Sequence, residues 1–187
     1  MGWVAVGVGV GMVLVLGVVL LFNRLVRAKV RVREAWAQVA VQQQRRHDLI
    51  PVVLSAVNAY ADHEGDLLRA VSTARNEALT ATDPSSRGAA ETQLSALMPR
   101  LIALGEAMPE LQADSTFQRL EAELRDTEDR LAFARDFANH RVTFYRKLTD
   151  TLPGLLLARP FGFPREELFA LEDEAAAVAP TPDLGGR

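Results

Sequence analysis

The 187-residue chain has no cysteine, two lysines among its 21 basic residues, two tryptophans and two tyrosines. The missing cysteine excludes disulfide frameworks, zinc knuckles and thiol nucleophiles together. Acidic residues are scarce at one end: residues 1–47 carry seven Lys/Arg against Glu34 alone, a balance of +6. The remaining 140 residues carry 14 basic and 23 acidic side chains, a balance of −9. A nucleic-acid binder needs its basic surface on the folded domain, so that class of partner is not expected. Alternation of apolar and polar residues is also lacking beyond residue 23, which leaves little room for strands.

What is present begins with a membrane-length segment. Residues 3–22 read WVAVGVGVGMVLVLGVVLLF, twenty positions without a charge. At 1.5 Å per residue such a helix spans roughly 30 Å, the hydrocarbon thickness of a bilayer. Thirteen of the twenty are Val, Leu or Phe, each favouring insertion by about 0.3–0.6 kcal/mol at the helix centre. A cleaved signal peptide fits less well, since no basic n-region precedes the run and no A-x-A site follows it. The expectation is an uncleaved single-pass anchor over residues 1–22. Arg24, Arg27, Lys29, Arg31 and Arg33 follow at once. By the positive-inside rule this flank and the domain behind it belong in the cytoplasm, with the N-terminus outside. The five cations also suit anionic headgroups, or are simply the solvated face of a helix leaving the bilayer. Gly7 and Gly11 have the small-x-x-x-small spacing of packed membrane helices, a spacing that chance readily supplies in a glycine-rich span.

Beyond the span, apolar residues recur every three to four positions. One stripe comprises Leu25, Val32, Trp36 and Val39; another runs from Ile50 through Val53, Val57, Tyr60, Glu64, Leu67, Val71 and Arg75 to Ala78. The second keeps phase across Gly65 and predicts one helix over about 50–81. Pro51 either ends the preceding helix or kinks it. Residues 91–106 carry Leu94, Leu97, Leu101 and Leu104 in step, with Pro99 expected to bend the segment. The last stripe includes Phe117, Leu120, Leu124, Leu131, Ala138, Val142, Tyr145, Leu148 and Leu152. Thr82-Asp83-Pro84-Ser85-Ser86, Met108-Pro109 and Asp114-Ser115 mark the breaks. The expected fold is all-α: a single N-terminal transmembrane helix, then an antiparallel up-and-down four-helix bundle over residues 23–175. The remainder, residues 176–187, lacks apolar content to bury and is expected to be disordered. Trp36, Phe117, Phe133, Phe137, Phe144 and Tyr145 are expected to fill the core.

Several motifs carry a resemblance. Ala35-Trp36-Ala37-Gln38-Val39, Arg45-Arg46-His47-Asp48-Leu49-Ile50-Pro51 and Tyr60-Ala61-x-His63-Glu64 come first. Met108-Pro109-Glu110-Leu111, Glu128-Asp129-Arg130-Leu131-Ala132-x-Ala134-Arg135 and Phe161-Gly162-Phe163 follow. With these the chain resembles the LemA family of bacterial membrane-anchored proteins over nearly its whole length. It departs locally, with Val52 where the family commonly has Asn, and with Phe137-Ala138 and Tyr145-Arg146 in place of Tyr-Asn pairs. The resemblance implies a membrane helix followed by an antiparallel helical bundle, and no established catalytic activity. It also implies work as an envelope or organelle-biogenesis factor, with membrane metalloproteases encoded nearby.

The residues themselves offer little catalytic chemistry. A di-iron bundle needs Glu-x-x-His, whereas His47, His63 and His140 are preceded at that spacing by Gln44, Tyr60 and Phe137. His63-Glu64 opens like a zinc-protease motif, but Leu67 stands where the second ligand belongs. No Walker loop or G-x-S-x-G is present. No enzyme, metal or cofactor is therefore expected. The polar group to watch is Arg45, Arg46, His47 and Asp48 with His63, Glu64 and Glu128. It is either a partner-docking or metal patch or a network that fixes helix register at a bundle end. Glu64, Arg75 and Glu128 interrupt apolar stripes and each needs a partner, so an Arg46–Glu128 or Arg75–Glu128 contact is expected. Phe161, Phe163 and Phe169 either cap the open end of the bundle or form an exposed apolar patch. The functional expectation is a membrane-anchored scaffold or adaptor that binds a protein, a membrane protease or another copy of itself. The alternative is an organiser of anionic lipid surfaces.

Overall fold

Helix starts in this chain are set by aspartates and prolines. The computed structural model describes residues 1–60 and 65–165, the side chain of Ala5 excepted. Its helices are α1 (Gly2–Asn58), α2 (Gly65–Thr80), α3 (Pro84–Glu106), α4 (Pro109–Gln112), α5 (Ser115–Asp150) and α6 (Gly154–Ala158), with no strand among the described residues. Asp83 caps α3 by accepting from the Ser86 amide at 2.8 Å, and Pro84 takes the first turn, where a missing N–H costs nothing. Hydrogen bonds from the Ser85 and Ser86 hydroxyls hold the Asp83 carboxyl well below the usual carboxylate range. Asp114 caps α5 in the same way, accepting from the Thr116 amide at 2.8 Å. The cap at Asp83 lets α3 begin seven residues before the stripe at 91–106.

One expectation about helix breaks is narrowed and one is corrected. Of the two readings of Pro51, ending the helix is excluded, since Pro51 lies inside α1, which continues to Asn58. The lost amide bond is outweighed by burial on both sides, for Ile50 and Val57 are fully buried and Val53 is nearly so. The single helix over 50–81 is also absent, because the chain turns at Ala59-Tyr60, where the Tyr60 amide donates to the Val57 carbonyl at 3.0 Å. A straight helix would carry Val71 about 21 Å beyond Val57. The turn instead returns Leu67, Leu68 and Val71 to the same apolar cluster as Ile50, Val53 and Val57. Each half keeps its own three-to-four period, so the unbroken phase in the sequence concealed the turn.

Among the described residues, three apolar clusters run along the domain. The largest joins α1, α2, α3 and α5 through residues including Ile50, Val71, Leu94, Met98, Leu101, Phe117 and Leu124. Ala35 and Val39 meet Leu131, Ala134 and Ala138 in the second; Ala28 and Val32 meet Val142 and Tyr145 in the third. Positions on α5 thus rise as those on α1 fall. Two glycines sit in close packing. A β-carbon at Gly105 would lie 2.6 Å from the Phe117 ring, and one at Gly154 would lie 1.8 Å from the Leu148 carbonyl oxygen. Gly154 therefore permits α6 to fold back on the end of α5.

The aromatic set divides. Phe117 and Tyr145 are buried and Trp36 is half-buried, but Phe133 is 73% exposed and Phe137 and Phe144 are exposed as well. These three lie off the buried face of α5 that carries Leu131, Ala134, Ala138 and Val142, which corrects their assignment to the core. At the other end of the molecule, every described residue from Gly2 to Leu20 is exposed, and burial starts at Leu25. The first third of α1 is thus an apolar helix, long enough to cross a membrane, that stands clear of the domain. The tail expected to be disordered, residues 176–187, lies outside the described residues.

Candidate functional site

The polar residues picked out by sequence do not gather at a bundle end, because α1 continues past Pro51 to Asn58. Arg46 and His47 lie mid-helix, at 0% and 4% exposure, and α3 and α5 supply the groups that receive them. The Arg46 guanidinium donates through Nη1 to Ser95 Oγ at 2.7 Å and to both carboxylate oxygens of Glu128 at 3.3 Å. Through Nη2 it pairs with the Glu91 carboxylate and reaches the Glu91 carbonyl at 3.4 Å. His47 Nε2 lies 2.9 Å from Glu91 Oε1; an ionised carboxylate can only accept, so in this contact Nε2 is the donor. Arg135 donates through Nη1 to Ser95 Oγ at 3.1 Å, so this one hydroxyl accepts from two guanidinium groups. On the far side, Arg75 Nε donates to the His47 carbonyl at 2.9 Å.

Of the two expected contacts, the Arg46–Glu128 pair forms; Arg75 is satisfied by a backbone carbonyl instead. Arg45 pairs across the surface with Asp126 at 3.6 Å, and Asp48 accepts from Gln44 one turn back at 2.8 Å. Neither enters the buried network. His63 and Glu64 lie outside the described residues. Glu91, Ser95 and Arg135 were not singled out from sequence as members of this site. A signal was available: Glu91 precedes Leu94 by three and Met98 by seven, and Arg135 follows Leu131 by four, so both share the buried stripes.

The electrostatics follow from burial. Desolvation opposes ionisation of Glu91, but the His47 hydrogen bond and the Arg46 charge prevail and hold its carboxyl below the ordinary value. At Glu128 desolvation prevails over the Arg46 attraction and raises the carboxyl. Burial lowers Arg135, and repulsion from Arg46 adds to it. With two carboxylates facing two guanidinium groups, the network is close to charge balance, the condition under which buried ions are tolerated. Among the described residues no group of three His, Asp or Glu side chains is placed to hold a metal ion. Arg46, which touches both Glu91 and Glu128, would itself repel a cation. Surface clefts lie elsewhere: one is lined by Thr149, Asp150, Leu155 and Phe163, another by Glu77, Thr80, Ser86 and Gln93. The network therefore ties α1, α3 and α5 together from within and presents no reactive group to a cleft.

The flank and the aromatic segment meet at the exit of the apolar helix. Arg24, Arg27, Arg31 and Arg33 are exposed, and Lys29 Nζ sits 5.8 Å over the Phe163 ring. Phe163 is half-buried against the cluster of Ala28, Val32, Val142 and Tyr145. Phe161 is 56% exposed, and both rings pack edge-on to Phe22, at 5.3 Å for Phe161 and 5.7 Å for Phe163. Phe169 lies outside the described residues.

These features define an all-helical protein with an N-terminal apolar helix and an ion-paired interior. The model of the LemA family matches residues 35–182, most of the chain, and the protein belongs to that family. No protein with a curated description matches it.

Proposed function

We propose that this protein is a non-enzymatic, membrane-anchored scaffold or adaptor whose helical domain binds a protein, either a membrane protease or a second copy of itself. The observation that carries the reading is α1 itself: one 57-residue helix that joins an exposed apolar segment to a folded domain without a linker. A domain so attached holds a fixed distance and orientation from the bilayer, which suits presentation of a surface better than turnover of a diffusing substrate. The inward-facing network supports the same conclusion, since its buried charges are engaged in joining helices. The descending register of α5 along α1, and the three-residue connection between α2 and α3, favour an antiparallel up-and-down arrangement. The Arg24–Arg33 flank favours a cytoplasmic domain, single-pass topology and an external N-terminus.

The experiment is crosslinking and co-purification of the full-length chain from its own membranes, in parallel with a variant whose five flank cations are neutralised. A stoichiometric protein partner that survives neutralisation is the expected result. If only lipid is recovered, and association with anionic membranes collapses on neutralisation, the scaffold reading fails in favour of a lipid-surface organiser.

A further inference from the structure

At the end of α5 the chain does something that a plain helical domain does not require. Residues 151–163 read TLPGLLLARPFGF, with Arg159 as the single charge. The segment turns back, through Gly154, onto α5 and α1. Its apolar residues split into two sets. Leu155, Leu157 and Phe163 are half-buried against the domain. Leu152, Leu156 and Phe161 face outward, 71%, 67% and 56% exposed. Three large apolar side chains are thus left exposed within ten residues of chain, and exposed apolar groups that gather mark contact surfaces.

Its position along α1 says what covers it. Ala28 and Val32 pack with Val142 and Tyr145, and Ala35 with Leu131 and Ala138. Continuing that register toward the N-terminus brings the end of α5 level with Phe22, the last residue of the apolar run. The ring contacts of Phe161 and Phe163 with Phe22 fix the level directly. Leu156 lies on α6, the helix between this contact and the end of α5, and α6 packs against both α1 and α5. Arg24, Arg27 and Arg159 near this level are exposed, Lys29 lies over the Phe163 ring, and Arg165 pairs with Asp150 at 3.6 Å. Apolar groups facing outward beside a cationic collar, continuous with an apolar helix, match the chemistry of a bilayer's interfacial zone.

We propose that residues 151–162 form a second membrane contact, a foot in which Leu152, Leu156 and Phe161 enter the headgroup and upper acyl region where α1 emerges. This rests on the reading of residues 1–22 as a membrane span. The foot gives the domain two points of attachment, so its tilt is set by the bilayer as well as by the helix. It also assigns the exposed Phe161 to lipid and leaves the rest of the domain surface for a protein partner.

Because the chain has no cysteine, single-cysteine variants give unambiguous labels. Leu156→Cys, Val41→Cys and Val10→Cys are made in the full-length chain, spin-labelled and reconstituted in phosphatidylcholine–phosphatidylglycerol vesicles. Accessibility to oxygen and to a water-soluble nickel chelate is then read at each site. Val41 is 58% exposed on α1, about 28 Å along the helix from Phe22, and serves as the aqueous reference. The expected result is a Leu156 label shifted toward high oxygen and low nickel access, between the Val10 and Val41 values. A Leu156 label indistinguishable from Val41, with Val10 in lipid, overturns the foot and leaves the anchor standing. A Val10 label that reads as aqueous overturns both. Far-UV circular dichroism of each labelled variant, matching the parent, establishes that the comparison concerns folded protein.

Discussion

Replacing Glu91 by glutamine tests whether the buried network holds the domain together. The substitution is nearly isosteric, so it opens no cavity, and it removes the charge that Arg46 and His47 both meet. Removing one partner of a buried ion pair costs roughly 3–5 kcal/mol, because the other charge is left in a low-dielectric interior. Arg46 retains Glu128 at 3.3 Å and Ser95 at 2.7 Å, which places the loss at the lower end, about 3 kcal/mol. At about 2.1 cal/mol/K per residue, a domain of about 140 residues, from Leu25 to residue 165, unfolds with an entropy near 0.29 kcal/mol/K, so Tm falls by about 10 °C. The assay is thermal unfolding of the full-length protein in mild detergent, followed by far-UV circular dichroism at pH 7. The acid limb supplies a second readout. Glu91 is depressed in the folded state, so its stabilisation is complete above the ordinary glutamate value of 4.5 and is lost as pH falls through the lower, folded value. The parent should therefore lose stability on acidification below that point, and Glu91→Gln should show a flatter acid limb. A Tm change under about 3 °C, less than about 1 kcal/mol on the same scale, together with an unchanged acid limb, would refute the assignment of Glu91 to the centre of the network.

Other substitutions probe the remaining contacts. Glu128 has the opposite sign: its folded carboxyl is raised, so its ionisation costs stability as pH rises from 4.5 toward that raised value. Glu128→Gln should accordingly cost only about 1 kcal/mol at pH 7, clearly less than Glu91→Gln in the same melting assay. Gly105→Ala places a methyl group 2.6 Å from the buried Phe117 ring. Overpacking of about 1–3 kcal/mol should exceed the gain of about 1 kcal/mol from replacing a helical glycine, and urea unfolding should show a net loss. Phe117→Ala, at 3% exposure, should cost about 3–5 kcal/mol, while Phe133→Ser, at 73%, should stay within about 0.5 kcal/mol. Equal effects of the two in a denaturant titration would contradict their opposite placement.

The sequence alone determined what depends on near neighbours. A charge-free run of twenty residues dictates an apolar helix, because nothing in it can satisfy water. Asp83 and Asp114 dictate where α3 and α5 begin, because each cap bond reaches only two or three residues ahead. The three-to-four spacing dictates helices throughout, and the misfit of Glu128 on an apolar stripe was enough to foresee an arginine partner, Arg46 or Arg75, though not which of the two. Tertiary structure decided the rest. Period alone does not say which side of α5 meets α1, so Phe133, Phe137 and Phe144 could be placed only once Leu131, Ala138 and Val142 were seen against their partners. Pro51 remains in a helix because Ile50, Val53 and Val57 have a core to enter, while the turn at Ala59-Tyr60 occurs because Leu67 and Val71 must enter the same one. Glu91 becomes the centre of the site because α3 delivers it 44 and 45 positions away from His47 and Arg46. Local sequence sets the helices; which buried charges meet is fixed by how those helices pack, since a buried charge is tolerated only beside a partner that the packing brings to it.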